Sequence, residues 1–295
     1  MSRLYLPKIE PAPATILAHL IAHFPQIPPG TWRERVARGV VTTSDGAILS
    51  EGSPYCHGIT ICYDREVPSE PDSIEQEEIV YQDGEILVAD KPHGMPVTPA
   101  GEYLERSLLV RLQKSTGVKA LAPMHRLDRN TAGIVLFAVN PASRGIYHQL
   151  FAEGNIDREY LAVAHIDDRA WLRETKQWRV ENRMEAGDPW YTQRIVDGPV
   201  NAVTEIELLG VQGGLGLFRL RPQTGRKHQL RVHMMSIGFP IAGDPVYPRI
   251  SEISDTPLQL LATRLAFIDP LSGKPRTFTS ARKLLKASRD FHIQS

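Results

Sequence analysis

The stretch His125-Arg126-Leu127-Asp128-Arg129-Asn130-Thr131-Ala132-Gly133 runs directly into an apolar segment, Ile134 to Val139. An uninterrupted apolar run of this length predicts a buried strand, which places Asp128 on a loop at the leading edge of that strand. An isolated buried charge is costly, so a carboxylate in this position must be paired with a cation or take part in chemistry. Asp128 is therefore the first candidate for a reactive group.

Composition sets ordinary limits on the rest of the chain. Its 295 residues, 42% hydrophobic and 23% charged, suit one or two globular domains with cores of their own. Two cysteines cannot form a disulfide framework, which favours a reducing compartment. No apolar run approaches the roughly 18 residues of a spanning helix, and the proline-containing N-terminus does not resemble a secretory signal. We expect a cytoplasmic protein that does not contact a membrane.

The formal net charge of zero conceals a strong segregation of charge along the chain. Residues 70–85 carry seven acids and no base, whereas residues 219–231 carry five bases and no acid. The five bases are Arg219, Arg221, Arg226, Lys227 and Arg231. Charge sorted in this way can produce a cationic face even on a neutral protein, although a solvated surface is the other interpretation.

An acidic segment broken by prolines, from Val67 to Glu78, indicates a linker. It separates a small module, residues 1–72, from a larger domain, residues 73–295. The small module contains a helical pattern over 14–24, a second helix over 31–38 with Thr31 as its N-cap, a hairpin over 40–49 and a strand over 58–63.

In the larger domain, strand patterns alternate with turns over 85–90, 158–164, 200–209 and 217–221. A helix is predicted over 142–153, and another over 226–236 with Thr224 at its start. Many strands, few helices and no regular βαβ repeat predict the α+β class, with a mixed, mainly antiparallel central sheet flanked by helices and loops. A small N-terminal α/β module would accompany this sheet.

Several familiar chemistries lack their residues. The ligand strings of zinc deaminases are absent, and the local cluster Cys56, His57 and Cys62 offers only three metal ligands. The third glycine of a dinucleotide site and the Gly-x-Ser-x-Gly elbow of a hydrolase are also missing. What remains is chemistry centred on a carboxylate, and we expect neither a cofactor nor a metal.

Four strings in the larger domain, taken in chain order, resemble the motifs of the RNA pseudouridine synthases of the large-subunit ribosomal (RluA-like) family. They are 87–97, the opening stretch 125–133, 158–164 and 221–233, and the resemblance extends from about Glu78 to Phe278. The chain departs from the family pattern at Ala132, where serine is usual, and at Leu261, where histidine is common. The second departure bears on packing more than on chemistry.

The resemblance implies isomerisation of specific uridines to pseudouridine in a structured RNA, rRNA or tRNA, by a monomer. Asp128 would be the nucleophile, Tyr160 would stack on the extruded uracil and could help remove its C5 proton, and Arg226 would pair with Asp128. A nearby cation favours the ionised form of a carboxylate. Further RNA contacts are implied for Arg126, Lys91, Lys227, His228 and Arg231.

Other interpretations stay open at this point. Taken alone, the string at Lys91 is equally a strand end with a tight turn, Tyr160 a packing residue, and 226–236 an ordinary amphipathic helix. A catalytically inactive RNA-binding or ribosome-assembly protein would have the same fold and charged face. A glycoside hydrolase would need a second acid at a defined separation, and no string suggests one.

The N-terminal module also resembles a known type, the small RNA-binding module named after a ribosomal small-subunit protein. Its second helix would present Arg33, Arg35 and Arg38 to RNA outside the catalytic footprint. The module is degenerate in charge, with six bases against eight acids over residues 1–72, so its hold on RNA should be weak. A plain structural cap is the alternative.

Overall fold

The computed structural model describes residues 2–25, 27–63, 75–100, 103–166, 176–250 and 256–286. The chain divides into two compact units, Met1–Pro68 and Ser69–Ser295. The predicted linker lies outside the described residues as far as residue 74. Within the described part of the chain, no helix is both long enough and apolar enough to cross a membrane.

The smaller unit packs two helices against a small antiparallel sheet, as far as its described residues go. Its elements in chain order are β1 (Ser2–Tyr5), α1 (Ile16–His23), α2 (Pro29–Ala37), β2 (Val41–Thr43) and β3 (Thr60–Tyr63). The strands pair in the order β1-β3-β2. The core between sheet and helices is filled by Leu20, Trp32, Ile61 and their apolar neighbours.

Helix α1 begins after an N-cap, Thr15, whose side chain accepts a hydrogen bond from the Ala18 amide at 3.0 Å. The predicted N-cap Thr31 is wrong, since α2 already begins at Pro29 and Thr31 lies inside it. Proline suits a first helical position because its missing N–H would have no partner there.

The predicted hairpin over 40–49 forms only in part. Strand β2 pairs with β3. Residues 47–49 contact β2 through a single isolated bridge, between Thr42 and Ile48. The prediction that α2 presents three arginines is also wrong, because Arg35 is buried with its guanidinium 5.0 Å from the Trp32 ring centre. Arg33 and Arg38 are exposed.

The larger unit is built on one extended sheet with helices on both of its faces. Its strands are β4 (Glu78–Gln82), β5 (Ile86–Lys91), β6 (Ala122–Pro123), β7 (Ala132–Ala138), β8 (Asp157–His165), β9 (Gln177–Ala186), β10 (Gln193–Val196), β11 (Ala202–Gln212), β12 (Leu215–Pro222), β13 (Leu260–Ile268) and β14 (Pro275–Thr279). Its helices are α3 (Leu108–Thr116), α4 (Arg144–Ala152) and α5 (Gln229–Ser236).

The sheet is mixed and mainly antiparallel, as the sequence predicts. Its order is β10-β9-β11-β12-β8-β13-β7-β5-β4, with β14 paired to β13 and β6 to β7. Strands β13 and β7 are parallel, and the other pairs of named strands in the described residues are antiparallel. The sequence patterns did not predict helix α3 or strands β4, β6, β9, β10, β13 and β14.

Strand β7 is apolar throughout because both faces of the sheet are covered around it. Val135 and Phe137 point into the core shared with α3 and α5, whereas Ile134 and Leu136 point into the core shared with α4. A strand buried on both sides reads as a continuous apolar run rather than an alternating one. The same burial fixes the place of the loop that precedes β7, and with it Asp128.

Gly133 allows β13 to lie against the start of β7. Its φ is +114°, and a Cβ atom added there would lie 2.2 Å from the Ala262 carbonyl oxygen. Ala262 is its register partner in the parallel pair. Only glycine combines this backbone conformation with so close an approach of another strand.

We expect Gly133→Ala to lower the free energy of unfolding by about 2–4 kcal/mol, because overpacking and a strained backbone each cost about 1–3 kcal/mol. Denaturant unfolding of the full chain measures the change. Gly145→Ala is the matched control, since Gly145 lies in α4 with nothing within 4 Å of an added Cβ. There alanine should stabilise by up to about 1 kcal/mol. Equal stabilities for the two variants would refute the close-approach explanation.

Candidate active site

Asp128 lies in a large cleft with a volume of about 1230 Å³. The cleft is formed by the loop before β7, the end of α4, strand β8 and the loop between β12 and α5. Acids contribute only Asp128 and Glu153 to its lining, whereas bases contribute six side chains. These bases are Arg126, Arg129, Arg158, Arg226, Lys227 and Arg231. The cleft is therefore strongly cationic around one carboxylate.

A buried arginine holds Asp128 in place. Arg231, in the first turn of α5, donates from Nη1 to Asp128 Oδ2 at 3.2 Å, and its other edge grips Asp244 through Nε at 2.8 Å and Nη2 at 2.6 Å. The Arg231 and Asp244 side chains are 4% and 1% exposed, but Asp128 is 28% exposed. Asp128 is thus fixed on one side and open to the cleft on the other.

Burial alone would lower the pKa of Arg231, but its hydrogen bonds to Asp244 and the charges of Asp244 and Asp128 outweigh burial and raise that pKa. The guanidinium therefore stays charged at any pH at which the protein is folded. The charge-assisted, bidentate contact between Arg231 and Asp244 also fixes the relative orientation of the two side chains.

The predicted pairing of Arg226 with Asp128 is wrong. Arg226 is exposed and donates from Nε to the Asn201 carbonyl oxygen at 3.0 Å. Helix α5 begins at Gln229, so residues 224–228 form a loop, and Arg231 rather than Arg226 lies beside the carboxylate. The prediction of Arg231 as an RNA contact is corrected at the same time, since its donors face Asp128 and Asp244.

The loop before α5 is held by Gln229 instead of a capping threonine. Thr224 accepts a hydrogen bond from the Val203 amide and donates to Gln229 Oε1 at 2.7 Å. The same oxygen accepts from the Arg226 amide, and Gln229 Nε2 donates to the Val203 carbonyl oxygen and to Thr204. This buried amide network fastens the loop to β11 and explains why Thr224 does not start the helix.

Lys91 supports the backbone of the loop that carries Asp128. The prediction that it contacts RNA at a phosphate is wrong. Its side chain is fully buried at the end of β5. Its Nζ donates to the carbonyl oxygens of Pro92, Met95 and Arg129 at 2.7–3.1 Å. Burial lowers the pKa of Lys91 to about 7, against the opposing effect of the Asp128 charge.

His93 makes a second contact of the same kind, with Nδ1 2.7 Å from the Asn130 carbonyl oxygen. Together, Lys91 and His93 hold two consecutive backbone carbonyls immediately after Asp128. The first of the four sequence strings therefore positions the backbone of the second.

His228 forms the wall of the cleft next to Asp128. Its φ of 54° makes it the one described non-glycine residue with positive φ, and its Nε2 lies 3.8 Å from Asp128 Oδ2. Its Nδ1 is 2.9 Å from the Tyr247 hydroxyl. Burial lowers the pKa of His228 to about 4 although the Asp128 charge opposes this, so the imidazole is neutral at neutral pH.

Tyr160 lies on β8 in the lining of the same cleft, with its side chain almost fully buried. Burial raises the pKa of its hydroxyl, and the Asp128 charge acts in the same direction. The phenol is therefore protonated at neutral pH. Arg126 and Lys227 are exposed at the cleft, where solvent-side ligands can reach them.

His125 anchors the beginning of the Asp128 loop. Its Nε2 accepts a hydrogen bond from the Leu136 amide at 3.1 Å, and its ring stacks on Phe151. Burial lowers the pKa of His125 to about 3. A neutral imidazole is required here, because the nitrogen that accepts from the backbone cannot carry a proton.

A smaller depression of about 410 Å³ lies on the sheet around β9, β11 and β12. Its arginines face acids in ion pairs, Arg179 with Glu205 and Arg219 with Glu207. The first pair is exposed and of the kind that contributes little to stability, and the second is half-buried. Among the described residues, no three His, Cys, Asp or Glu side chains gather in a way that could hold a metal ion.

Comparison with known proteins agrees with this arrangement. A family model described as RNA pseudouridylate synthase matches residues 85–236. The chain belongs to this family. It is a pseudouridine synthase, an enzyme that isomerises uridine to pseudouridine.

Individual relatives cover most of the chain. The ribosomal large subunit pseudouridine synthase D of Zymomonas mobilis is 32% identical, over 82% of this chain and 82% of its own length. The dual-specificity RNA pseudouridine synthase RluA of Haemophilus influenzae is 32% identical over 69% of this chain and 92% of its own. The solved structure of human RNA pseudouridylate synthase domain containing 1 has a TM-score of 0.58 at 22% identity, covering 72% of this chain and 86% of its own, which shows the shared fold.

Three further residues organise the synthase's cleft, although the sequence motifs predict no role for them. Asp244 and Tyr247 follow α5, and Arg158 donates to the Pro222 and Thr224 carbonyl oxygens. Asp244 shares Arg231 with Asp128, a contact that only the structure reveals. Nothing in the spacing singles out Tyr247 or Arg158.

We expect Arg231→Ala to lower the free energy of unfolding of the synthase by about 3–5 kcal/mol, because it leaves Asp244 buried and unpaired. Arg226→Ala should change stability by no more than about 0.5 kcal/mol, because Arg226 is exposed. Denaturant unfolding of both variants checks the assignment. If Arg226→Ala proves the more destabilising, the pairing seen in the structure is not the one that stabilises the fold.

Proposed function

We propose that the synthase converts a specific uridine of a structured RNA, rRNA or tRNA, with Asp128 as the nucleophile and without a cofactor. The observation that carries this proposal is the state of Asp128. Its carboxylate is held by a buried, permanently charged arginine and opens into a large cationic cleft. A carboxylate oriented by a cation on one side and accessible to substrate on the other is placed for nucleophilic attack.

The electrostatics of the cleft support a nucleic acid as substrate. Six bases against two acids in its lining attract phosphates, and Arg226 and Lys227 are exposed near its rim. A uridine inside an RNA stem is unreachable, so it must be extruded into the cleft at a cost of a few kcal/mol. Exposed Arg126, two residues before Asp128, is placed to enter the space that the nucleotide vacates. The name of the Zymomonas mobilis relative makes large-subunit rRNA the first RNA to test.

The reaction balances without any co-reactant. Asp128 attacks either the ribose or the uracil ring, the bond between C1′ and N1 breaks, and the detached base turns. A new bond forms between C1′ and C5, the bond between Asp128 and the substrate breaks and restores the free carboxylate, the C5 proton leaves, and N1 takes up a proton. No electrons are gained or lost, and no water is consumed.

Tyr160 is proposed to stack on the uracil and to take part in removing the C5 proton. Its raised pKa keeps the hydroxyl protonated, so it can accept the C5 proton only by passing its own proton onward. A relay of this kind requires the hydroxyl, whereas stacking requires only the ring. The two contributions can therefore be separated by one substitution.

We expect Asp128→Asn to lower the single-turnover rate by more than about a thousandfold, because removing a nucleophile abolishes the covalent step. The assay is tritium release from RNA labelled at uracil C5, prepared from cells that lack the enzyme. Binding to the same RNA should persist, and thermal melting verifies the fold. Appreciable turnover by this variant would remove Asp128 as nucleophile, and an inactive wild type would favour an RNA-binding protein without catalysis.

We expect Tyr160→Phe to slow the chemical step by about 10²–10⁴-fold, the usual contribution of general acid–base groups. RNA affinity should change little, because the phenylalanine ring can still stack. Single-turnover rates at saturating RNA, compared with equilibrium binding, separate the two effects. A rate equal to that of the wild type would assign Tyr160 to packing alone.

A further inference from the structure

The hairpin between β9 and β10 ends in two aromatic side chains that serve no core. Trp190 is 80% exposed and Tyr191 is 38% exposed, with their rings nearly perpendicular and their centres 6.0 Å apart. Tryptophan is highly buried on average, so an indole left almost entirely in water is unusual.

The turn does not need these rings to keep its shape. The Thr192 amide and hydroxyl both donate to the Pro189 carbonyl oxygen, at 2.8 and 2.7 Å, and the Gly187 amide donates to the Thr192 carbonyl oxygen. The backbone and one threonine close the turn. The aromatic pair is presented by the hairpin rather than used to build it.

The hairpin is fastened to the active site. The Gln193 amide donates to the Tyr247 hydroxyl at 2.7 Å, and the same hydroxyl contacts His228 beside Asp128. Tyr191 itself lines the catalytic cleft. The aromatic pair therefore keeps a fixed position relative to the nucleophile.

A cation accompanies the exposed indole. Lys227 Nζ lies 5.5 Å from the Trp190 ring centre, within the range of a cation–π contact. Lys227 also lines the cleft. A flat aromatic surface next to positive charge, continuous with a cationic cleft, matches a ligand that carries both planar bases and phosphates.

We propose that Trp190 and Tyr191, with Lys227, form a stacking platform for an unpaired base of the RNA outside the catalytic pocket. The proposal rests on the proposed function, since it assumes an RNA substrate. Unpaired bases stack on aromatic side chains irrespective of their sequence, while the lysine holds the adjacent phosphate. The platform would orient the strand that leads to the extruded uridine.

The charge around the patch favours RNA over a protein partner or a second copy of this chain. An apolar protein surface would pack favourably on the indole. It would, however, have to desolvate Lys227 and approach a rim lined by further basic side chains. An RNA strand uses both features at once.

The test compares two single-stranded probes, an oligouridylate and an oligoribonucleotide of the same length without bases. Wild-type protein should bind the first more tightly, and Trp190→Ala should weaken binding to it by about 5- to 150-fold, the range expected for a lost base stack. Binding to the probe without bases should be unaffected. Trp190→Phe should retain most of the affinity, because it keeps a ring.

Leu271→Ala is the matched control, because Leu271 is another exposed apolar side chain but does not line the cleft. It should bind both probes as the wild type does. Melting curves of every variant should coincide with the wild type, since both altered positions are exposed.

Three outcomes would overturn the platform: equal wild-type binding to the two probes, an unchanged preference in Trp190→Ala, or loss of self-association instead of RNA affinity in sedimentation velocity. The tritium-release assay is run on the same wild-type preparation. Its failure would refute the proposed function, whereas an active wild type with an unchanged preference in Trp190→Ala would refute only the platform.

Discussion

Arg231 donates hydrogen bonds to Asp244 from one edge of its guanidinium and to Asp128 from another, and the arrangement of the cleft around Asp128 depends on this interaction. A buried guanidinium requires carboxylates to offset its desolvation, and Asp244 supplies most of that compensation because it too is almost fully buried. The remaining donor, Nη1, then has one position open to it, toward the loop before β7. Asp128 is thus held by a cation that was already fixed by another acid, and the rest of its carboxylate is left for a substrate.

The first two sequence strings, residues 87–97 and 125–133, pack together and so position Asp128 for its contact with Arg231. Lys91 and His93 hold the carbonyl oxygens of Arg129 and Asn130, and β7 is clamped between two covered faces of the sheet. The lysine donates three hydrogen bonds to backbone oxygens, so its burial does not leave its donors unsatisfied. The lysine therefore positions the loop that carries Asp128, and its buried ammonium is not exposed to a ligand in the cleft.

The sequence predicted the fold class and the strands β5, β7, β8, β11 and β12, because apolar runs and turn residues report burial and chain reversal directly. It misassigned Arg226 and Lys91, because the direction of a side chain across a loop is not encoded in spacing. The left-handed backbone of His228 turns the chain just before α5 and alters which arginine meets Asp128. Likewise, a lysine at the end of a strand has the same sequence pattern whether it faces phosphate or three carbonyl oxygens. Strand β9 was missed although Trp178, Val180 and Met184 alternate there with charged residues, and β10 was missed because it is short and partly exposed.

The two departures from the family pattern bear on whether the site is intact. Ala132 and Leu261 are register partners in the parallel pair of β7 and β13, and both lie in one apolar cluster with Val163, Leu217 and Leu284. A serine and a histidine at two such adjacent positions could satisfy each other, and an alanine and a leucine can pack together in the same place. Neither residue lines the cleft around Asp128. Both residues thus contribute apolar packing outside the lining of the cleft, and the two departures leave its chemical groups as they are.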